Sequence, residues 1–272
     1  MNENFRVNNV ERFTGFGELY DQNRPTAPYE VVKILTTYLQ AHPQQVVDVG
    51  CGTGLSSFIW LNEAEQIIGV EPSDDMRAVA LKRWKEQNEP KNLQFIKGLS
   101  HQLEMPSDSA DIITCSQSFH WMEPQSTLKE FARVLRPGGV FAAYDCDWPP
   151  VFNWKIEEAY NNLIALADAR VKELAEEDKQ IHRWSKDEHL RNIRESGLFQ
   201  YSREIVFHHW DTCDAERYAN IALSQGGLQS ALKLGSTELQ DLHNAFRSEV
   251  EHAFNGETKD ILFSYRMRIG IK

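Results

Sequence analysis

Three glycines at alternate positions, Gly50, Gly52 and Gly54, follow the apolar run Val46-Val47-Asp48-Val49 and lead into Leu55-Ser56. An apolar run ending in closely spaced glycines reads as a buried strand entering a tight turn and then a helix, with the backbone left open to a ligand. One acid, Asp48, sits two residues before the first glycine. A second, Glu71, closes the next apolar run, Ile67-Ile68-Gly69-Val70.

The spacing is G-x-G-x-G, with Leu55 standing where the dinucleotide fingerprint G-x-G-x-x-G needs a glycine. A pyrophosphate on this turn would be repelled by Asp48, whereas the ammonium of a methionine end would be held by it, through water. Glu71 is placed at a strand end to accept from both hydroxyls of a ribose. Both features favour S-adenosylmethionine over a nicotinamide dinucleotide.

Positioning such a site takes strands that alternate with helices. Val46-Val49, Ile67-Val70, Leu93-Ile96, Asp111-Thr114 and Val140-Tyr144 read as buried strands. Between them, Gln125 to Leu135 puts Leu128, Phe131, Ala132 and Leu135 on one helical face, stopped by Pro137-Gly138-Gly139. Ser73 caps another helix, with Asp74 and Asp75 against its positive end and Ala78, Leu81 and Trp84 expected inward. This alternation implies a parallel, doubly wound α/β sheet.

After Tyr144 a long amphipathic helix is expected from Ile156 to Leu174, as a helical insertion after the fifth strand. Ser185-Lys186-Asp187-Glu188 is a capping-box pattern for a short helix ended by Gly197, and a strand follows near Arg203 to Trp210. Further helices are expected at Ala215 to Leu223 and from Thr237, the latter capped by Ser236 with Leu239, Leu242, Phe246 and Val250 on one face. The last segment alternates, with Ile261, Phe263, Tyr265, Met267 and Ile269 on its apolar side.

With these motifs in place, the sequence resembles the class I S-adenosylmethionine-dependent methyltransferases, in particular the small-molecule group that includes trans-aconitate methyltransferase. The resemblance covers roughly residues 13 to 145. Phe13-Thr14-Gly15 with Tyr20, Arg24 and Pro25 is similar to that group's N-terminal cofactor cover, and Leu135-Arg136-Pro137-Gly138-Gly139 to its turn before the fifth strand. Gly98 to Pro106 resembles the adenine loop and Ser107 to Asp111 the entry to the fourth strand. Ser116 to Trp121 resembles the segment that closes over the methyl donor. The chain departs from the group at Ser100-His101, where Ala-Glu is usual, so the customary carboxylate for the adenine amino group is missing.

The resemblance implies a Rossmann-like, seven-stranded, mostly parallel sheet whose last strand runs antiparallel between the fifth and sixth. It implies one domain over 1–272, with a cover at 1–27, a cofactor core at 28–145 and a substrate-side insertion with C-terminal strands at 146–272. The cofactor site it implies comprises Tyr20, Arg24, Asp48, Gly50, Cys51, Gly52, Glu71, Pro72, Met76, Ser100, His101, Gln117, His120 and Trp121.

Transfer from a sulfonium needs an aligned nucleophile and, for a hydroxyl or amine, removal of a proton, and His120 is the candidate base. A carboxylate acceptor would need positive charge instead, from Arg24 or Arg266. The expected acceptor is a small molecule, with carboxylate or hydroxyl oxygen favoured. The alternatives are RNA or protein methylation, or S-adenosylmethionine binding without turnover. His208 and His209 are neighbours on a strand and point to opposite faces, so no metal is expected.

The composition sets the remaining expectations. With 29 Lys+Arg against 40 Asp+Glu, a formal charge of -11 disfavours a nucleic-acid partner. Four scattered cysteines suit a reducing compartment, and neither a leader nor a membrane span is readable. A cytoplasmic protein with no membrane association and no obligate protein partner is expected.

Overall fold

A computed structural model describes residues 8–10, 15, 17–174 and 182–272. Phe13 and Thr14 of the expected cover lie outside the described residues.

Seven strands make one sheet: β1 (Gln45–Val49), β2 (Gln66–Val70), β3 (Leu93–Ile96), β4 (Ala110–Ser116), β5 (Leu135–Val151), β6 (Tyr201–Cys213) and β7 (Lys259–Ile271). Their order is β3-β2-β1-β4-β5-β7-β6. The pairs among β1 to β5 are parallel, and β7 is antiparallel to both β5 and β6. The sheet is therefore mostly parallel, with its last strand inserted between the fifth and sixth, as the resemblance implies.

The helices are α1 (Gly17–Asn23), α2 (Glu30–Leu39), α3 (Asp74–Glu86), α4 (Pro124–Val134), α5 (Trp154–Leu174), α6 (His189–Glu195), α7 (Ala215–Leu223), α8 (Gly226–Lys233) and α9 (Thr237–Phe254). They cover both faces. Val46, Ile67, Ile112, Val140 and Ala142 join one core with α2, α5 and α9, while Val47, Val49, Ile113, Phe141 and Ala143 join another with α4 and Ile193 of α6. Burial on both faces is why the strands read as unbroken apolar runs.

Local signals held where a short-range bond explains them. Ser73 caps α3 by accepting from Met76 N at 3.4 Å, and Gly197 ends the α6 region with φ +66°. β5 extends beyond Val140-Tyr144 because the Pro137-Gly138-Gly139 turn is itself paired, Gly138 N and Gly139 O bonding to Lys272 at 2.9 and 3.0 Å.

Other expectations are corrected. On α3 the buried residues are Met76 and Ala80, while Leu81 is exposed. On α9 Leu242 is exposed and His243 buried. Ser236 precedes α9 but makes no capping bond. The α8 and α2 helices were not expected, and the final strand's polar side includes Arg268, which is buried. Among the described residues, no helix is long and apolar enough to cross a membrane.

Candidate functional site

The site begins at the end of β1. Gly50 has φ +67°, and a Cβ there would come within 2.7 Å of Ser118 Cβ, so this position needs glycine for packing as well as conformation. Gly52 has φ +56° with nothing within 4 Å of where a Cβ would lie, so its missing side chain leaves open space. The stretch after Gly54 is not an α-helix. It is a chain of tight turns running into a 3₁₀ segment, Phe58–Trp60, with Ser57 N on Gly54 O and Trp60 N on Ser57 O. The expected helix N-terminus is thus replaced by individual N–H groups.

Asp48 does not line the cavity; it lies beneath the turn, fully buried. Its Oδ2 accepts from Ser56 Oγ (2.6 Å) and Ser57 Oγ (2.7 Å), and its Oδ1 from Thr114 Oγ1 (2.9 Å). Burial raises its pKa while the three hydroxyls pull the other way. The expected hold on a ligand ammonium is corrected accordingly: this carboxylate ties the turn to β4.

Glu71 faces the cavity. Its Oε2 accepts from Gly52 N at 2.9 Å and its Oε1 from Ser73 N at 2.8 Å, so the glycine turn and the N-cap of α3 hold the carboxylate in one orientation. Burial raises its pKa and these two backbone donors oppose that rise. An ionised carboxylate has about four acceptor positions, so two backbone bonds leave room for a ligand diol.

The cavity at this edge of the sheet has a volume of about 670 Å³. Besides Glu71, it is lined by Tyr20, Arg24, Gly50, Cys51, Gly52, Pro72, Met76, Ser100, His101, Gln117, His120 and Trp121. Every expected cofactor residue except Asp48 is therefore brought to one space. Ser100 Oγ lies 2.9 Å from Thr127 Oγ1, so its hydroxyl already has a protein partner. Gln117 takes a left-handed φ of 51° and its Oε1 accepts from Trp148 Nε1 at 3.3 Å.

Arg24 is a buried cation with aromatic and neutral partners. Its guanidinium lies 5.0 Å from the Tyr20 ring and 4.5 Å from the Trp148 ring, and it donates to Ser224 Oγ (2.9 Å) and Ser224 O (3.1 Å). Among the described residues no carboxylate pairs with it, so the cavity holds a desolvated positive charge suited to an anion. Arg266, the other expected cation, is not at the cavity; Asp147 and Glu204 take its guanidinium at 3.2 and 3.1 Å. Lys172, Arg183 and Lys186 line the cavity instead, as do Ile164, Val171 and Trp148.

The largest group missed from sequence surrounds Asp145 at the sheet end of β5. Lys186 Nζ (2.8 Å) and His120 Nδ1 (3.5 Å) approach its Oδ1, while Arg268 Nη1 (3.4 Å) and His189 Nε2 (4.0 Å) approach Oδ2. Burial pushes His120 down to about 3 and His189 down to about 4. Burial alone would raise Asp145, but the Lys186 ammonium and the His120 contact hold it well below the usual carboxylate range. His120, Asp145 and His189 offer ligand atoms within 4.8 Å of one another. Two cations already neutralise the only carboxylate, which makes this a poor cradle for a dication. No local spacing in the sequence signals the cluster, whose members come from four separate segments. His208 and His209 belong to neither; His208 Nδ1 lies 3.0 Å from Ser264 Oγ, and His209 Nδ1 3.6 Å from Glu30.

Residues 47–143 match a protein-family profile described as a methyltransferase domain. The chain is 27% identical over 124 residues to the probable S-adenosylmethionine-dependent methyltransferase CRG1 of Saccharomyces cerevisiae, a stretch covering 45% of this chain and 43% of that one. It therefore spans less than half the length of that relative. The structure of the YcgJ protein from Bacillus subtilis aligns with a TM-score of 0.56 and 19% identity, covering 90% of this chain and 99% of that one. A phosphoethanolamine N-methyltransferase from Haemonchus contortus, solved with phosphomonomethylethanolamine and S-adenosylhomocysteine, aligns with a TM-score of 0.56 and 14% identity, covering 98% of this chain and 60% of that one. Residues 47–143 thus resemble a methyltransferase domain, and the seven-stranded sheet that carries them has the fold of these solved structures.

Proposed function

We propose that this chain transfers the methyl group of S-adenosylmethionine to a small-molecule acceptor, at a carboxylate or hydroxyl oxygen, as in the small-molecule group that includes trans-aconitate methyltransferase. The observation that carries this reading is that one cavity is lined both by a buried acid, Glu71, and by the cationic and aromatic side chains Lys172, Arg183, Lys186 and Trp148. Residues 1–27 would cover the cofactor and residues 146–272 would complete the acceptor side.

The side chains present fit the cofactor. Glu71, fixed by Gly52 N and Ser73 N, is the acceptor for a ribose diol. Arg24, caged by Tyr20 and Trp148 without an acid partner, is the counter-charge for the methionine carboxylate. Open space above Gly52 lets a ligand approach the backbone. Ser100 and His101 stand at the adenine end, where hydrogen bonding comes without a carboxylate.

When bound, the cofactor supplies a methyl group already activated on a sulfonium. What remains for the chain is orientation and proton removal. Arg183 and Lys186 hold and orient an acceptor anion, and apolar Ile164 and Val171 exclude water beside it. For a hydroxyl acceptor, His120 lines the cavity in its neutral form, but burial that pushes it down to about 3 makes it a weak base until the charges around it rearrange.

Calorimetry with S-adenosylmethionine and S-adenosylhomocysteine tests the first half of this reading: absence of binding at millimolar concentration ends it. Incubation with methyl-labelled S-adenosylmethionine and a metabolite extract, followed by mass spectrometry, tests the second. A labelled small carboxylic ester or ether is expected, and label found only in RNA or protein would redirect the assignment.

A further inference from the structure

His120 Nδ1 is buried and has no hydrogen-bond partner, although a carboxylate oxygen lies 3.5 Å away. The same oxygen, Asp145 Oδ1, is in contact with Lys186 Nζ at 2.8 Å. Asp145 Oδ1 likewise has no well-aligned hydrogen bond among the described residues, so ammonium and imidazole compete for one oxygen, with the ammonium the nearer. Lys186 also lines the cavity, and its side chain keeps 21% of its exposure against 3% for Arg268. Arg268 is further tied to Glu204 at 2.8 Å, so of the two cations on Asp145 it is the fixed one and Lys186 the one able to move.

We propose that Lys186 is a switch on the His120–Asp145 pair: its ammonium holds Asp145 away from the imidazole until an anionic group of the acceptor draws it into the cavity. The proposal rests on the methyl-transfer reading above and adds to it: the acceptor carries an anionic group, and an amine as well as a hydroxyl is able to receive the methyl.

The charges around the imidazole support this. His120 is faced by Asp145 of β5, by Lys186 and Arg183 of the segment before α6, and by His189 of α6, whose ring lies parallel at 6.4 Å. Beyond Asp145 stand Arg268 of β7 and Glu204 of β6, and Trp121 packs on the other side at 4.7 Å. With Lys186 on Asp145, burial and the two nearby cations keep the imidazole neutral. Once the ammonium leaves, Asp145 faces an Nδ1–H with only Arg268 still competing, and the ring becomes able to hold a second proton.

The proton balance is simple. As the acceptor oxygen or nitrogen bonds the methyl carbon, the carbon–sulfur bond breaks and its electron pair stays on sulfur. The acceptor's proton passes to His120 Nε2, the ring nitrogen left for the cavity when Nδ1 faces Asp145. Asp145 then stabilises the imidazolium until the proton is lost to solvent. Asp145 and Lys186 are positioning residues in this scheme, since they act through His120.

The test reads the imidazole directly and needs no acceptor. In full-length protein labelled with ¹⁵N-histidine, with the His120 signals assigned by His120→Gln, ring nitrogen shifts are followed from pH 5 to 8. The native ring is expected to stay neutral with its proton on Nδ1. In Lys186→Met it is expected to titrate inside this range, a rise of roughly two pH units or more. Lys186→Arg should remain neutral, and Lys186→Met combined with Asp145→Asn should return to neutral. A His120 that stays neutral in Lys186→Met, or that titrates equally in the double variant, overturns the proposal. So does a native ring protonated on Nε2 alone, a result that requires no variant to fold. S-adenosylmethionine calorimetry on the same native sample keeps the two readings apart: lost binding sinks the methyltransferase reading, whereas intact binding with an unresponsive His120 sinks only the switch.

Discussion

Two groups of buried acids beside the cavity are built in opposite ways. At the glycine turn the buried acids are held by neutral donors: Asp48 by three hydroxyls, Glu71 by two backbone N–H groups. Around Asp145 the partners are themselves ionisable, and His120 Nδ1 and both His189 nitrogens are buried without hydrogen bonds. Neutral donors cannot change charge between pH 4 and 9, so the first group is a fixed cradle. The second is held by charges that can redistribute, which suits a place where a proton must move.

The largest effect that would break this contrast is expected at Asp48. Asp48→Ala strands three buried hydroxyls and loosens the turn from β4. It should cost about 3–5 kcal/mol in urea unfolding. A loss below 1 kcal/mol would show that the cradle does not depend on it.

Acid should act on the other group. His120 and His189 have folded pKa values below their unfolded value near 6.5, so the unfolded chain binds protons that the fold refuses. Their contribution is complete above pH 6.5 and is lost as pH falls toward about 4. Roughly 2 kcal/mol should disappear between pH 7 and pH 5.5. His189→Phe should flatten part of that slope, measured as melting temperature against pH.

Glu71→Gln separates ligand recognition from folding. It keeps an oxygen for one backbone donor and sets an amide against the other. S-adenosylmethionine affinity should fall roughly 30-fold, about 2 kcal/mol, by calorimetry. An unchanged Kd would remove Glu71 from the ribose site.

The two glycines sharpen the comparison within the cradle. Gly50→Ala must push against Ser118 and should destabilise by about 2 kcal/mol, whereas Gly52→Ala meets open space and should cost only about 1 kcal/mol, for its positive φ. If Gly52→Ala nonetheless abolishes cofactor binding, the open space is where the ligand approaches.

The meeting of the glycine turn and Glu71 at one cavity was legible because its information is local. Gly50, Gly52 and Glu71 lie within a strand–turn–strand stretch, and a backbone that must turn tightly beside a ligand restricts residue type at fixed intervals. The role of Asp48 was not legible. A sequence places an acid next to a turn but does not say whether it faces the ligand or the core, and Ser56, Ser57 and Thr114 decided that. The α3 face was misjudged for a similar reason: Leu81 satisfies an apolar spacing, yet the helix turns Met76 and Ala80 inward.

The sequence by itself determined the strand–helix alternation, the doubly wound sheet and the glycine cradle, because apolar period and turn chemistry act over a few neighbouring residues. Only the tertiary structure decided which charges meet. Lys186 and Arg268 reach Asp145 from 41 and 123 positions away along the chain, and Arg24 finds Ser224 across 200. Such pairings depend on β7 entering between β5 and β6 and on the insertion folding back over the sheet. No local spacing encodes that, since a Coulomb interaction depends on distance in space rather than along the chain.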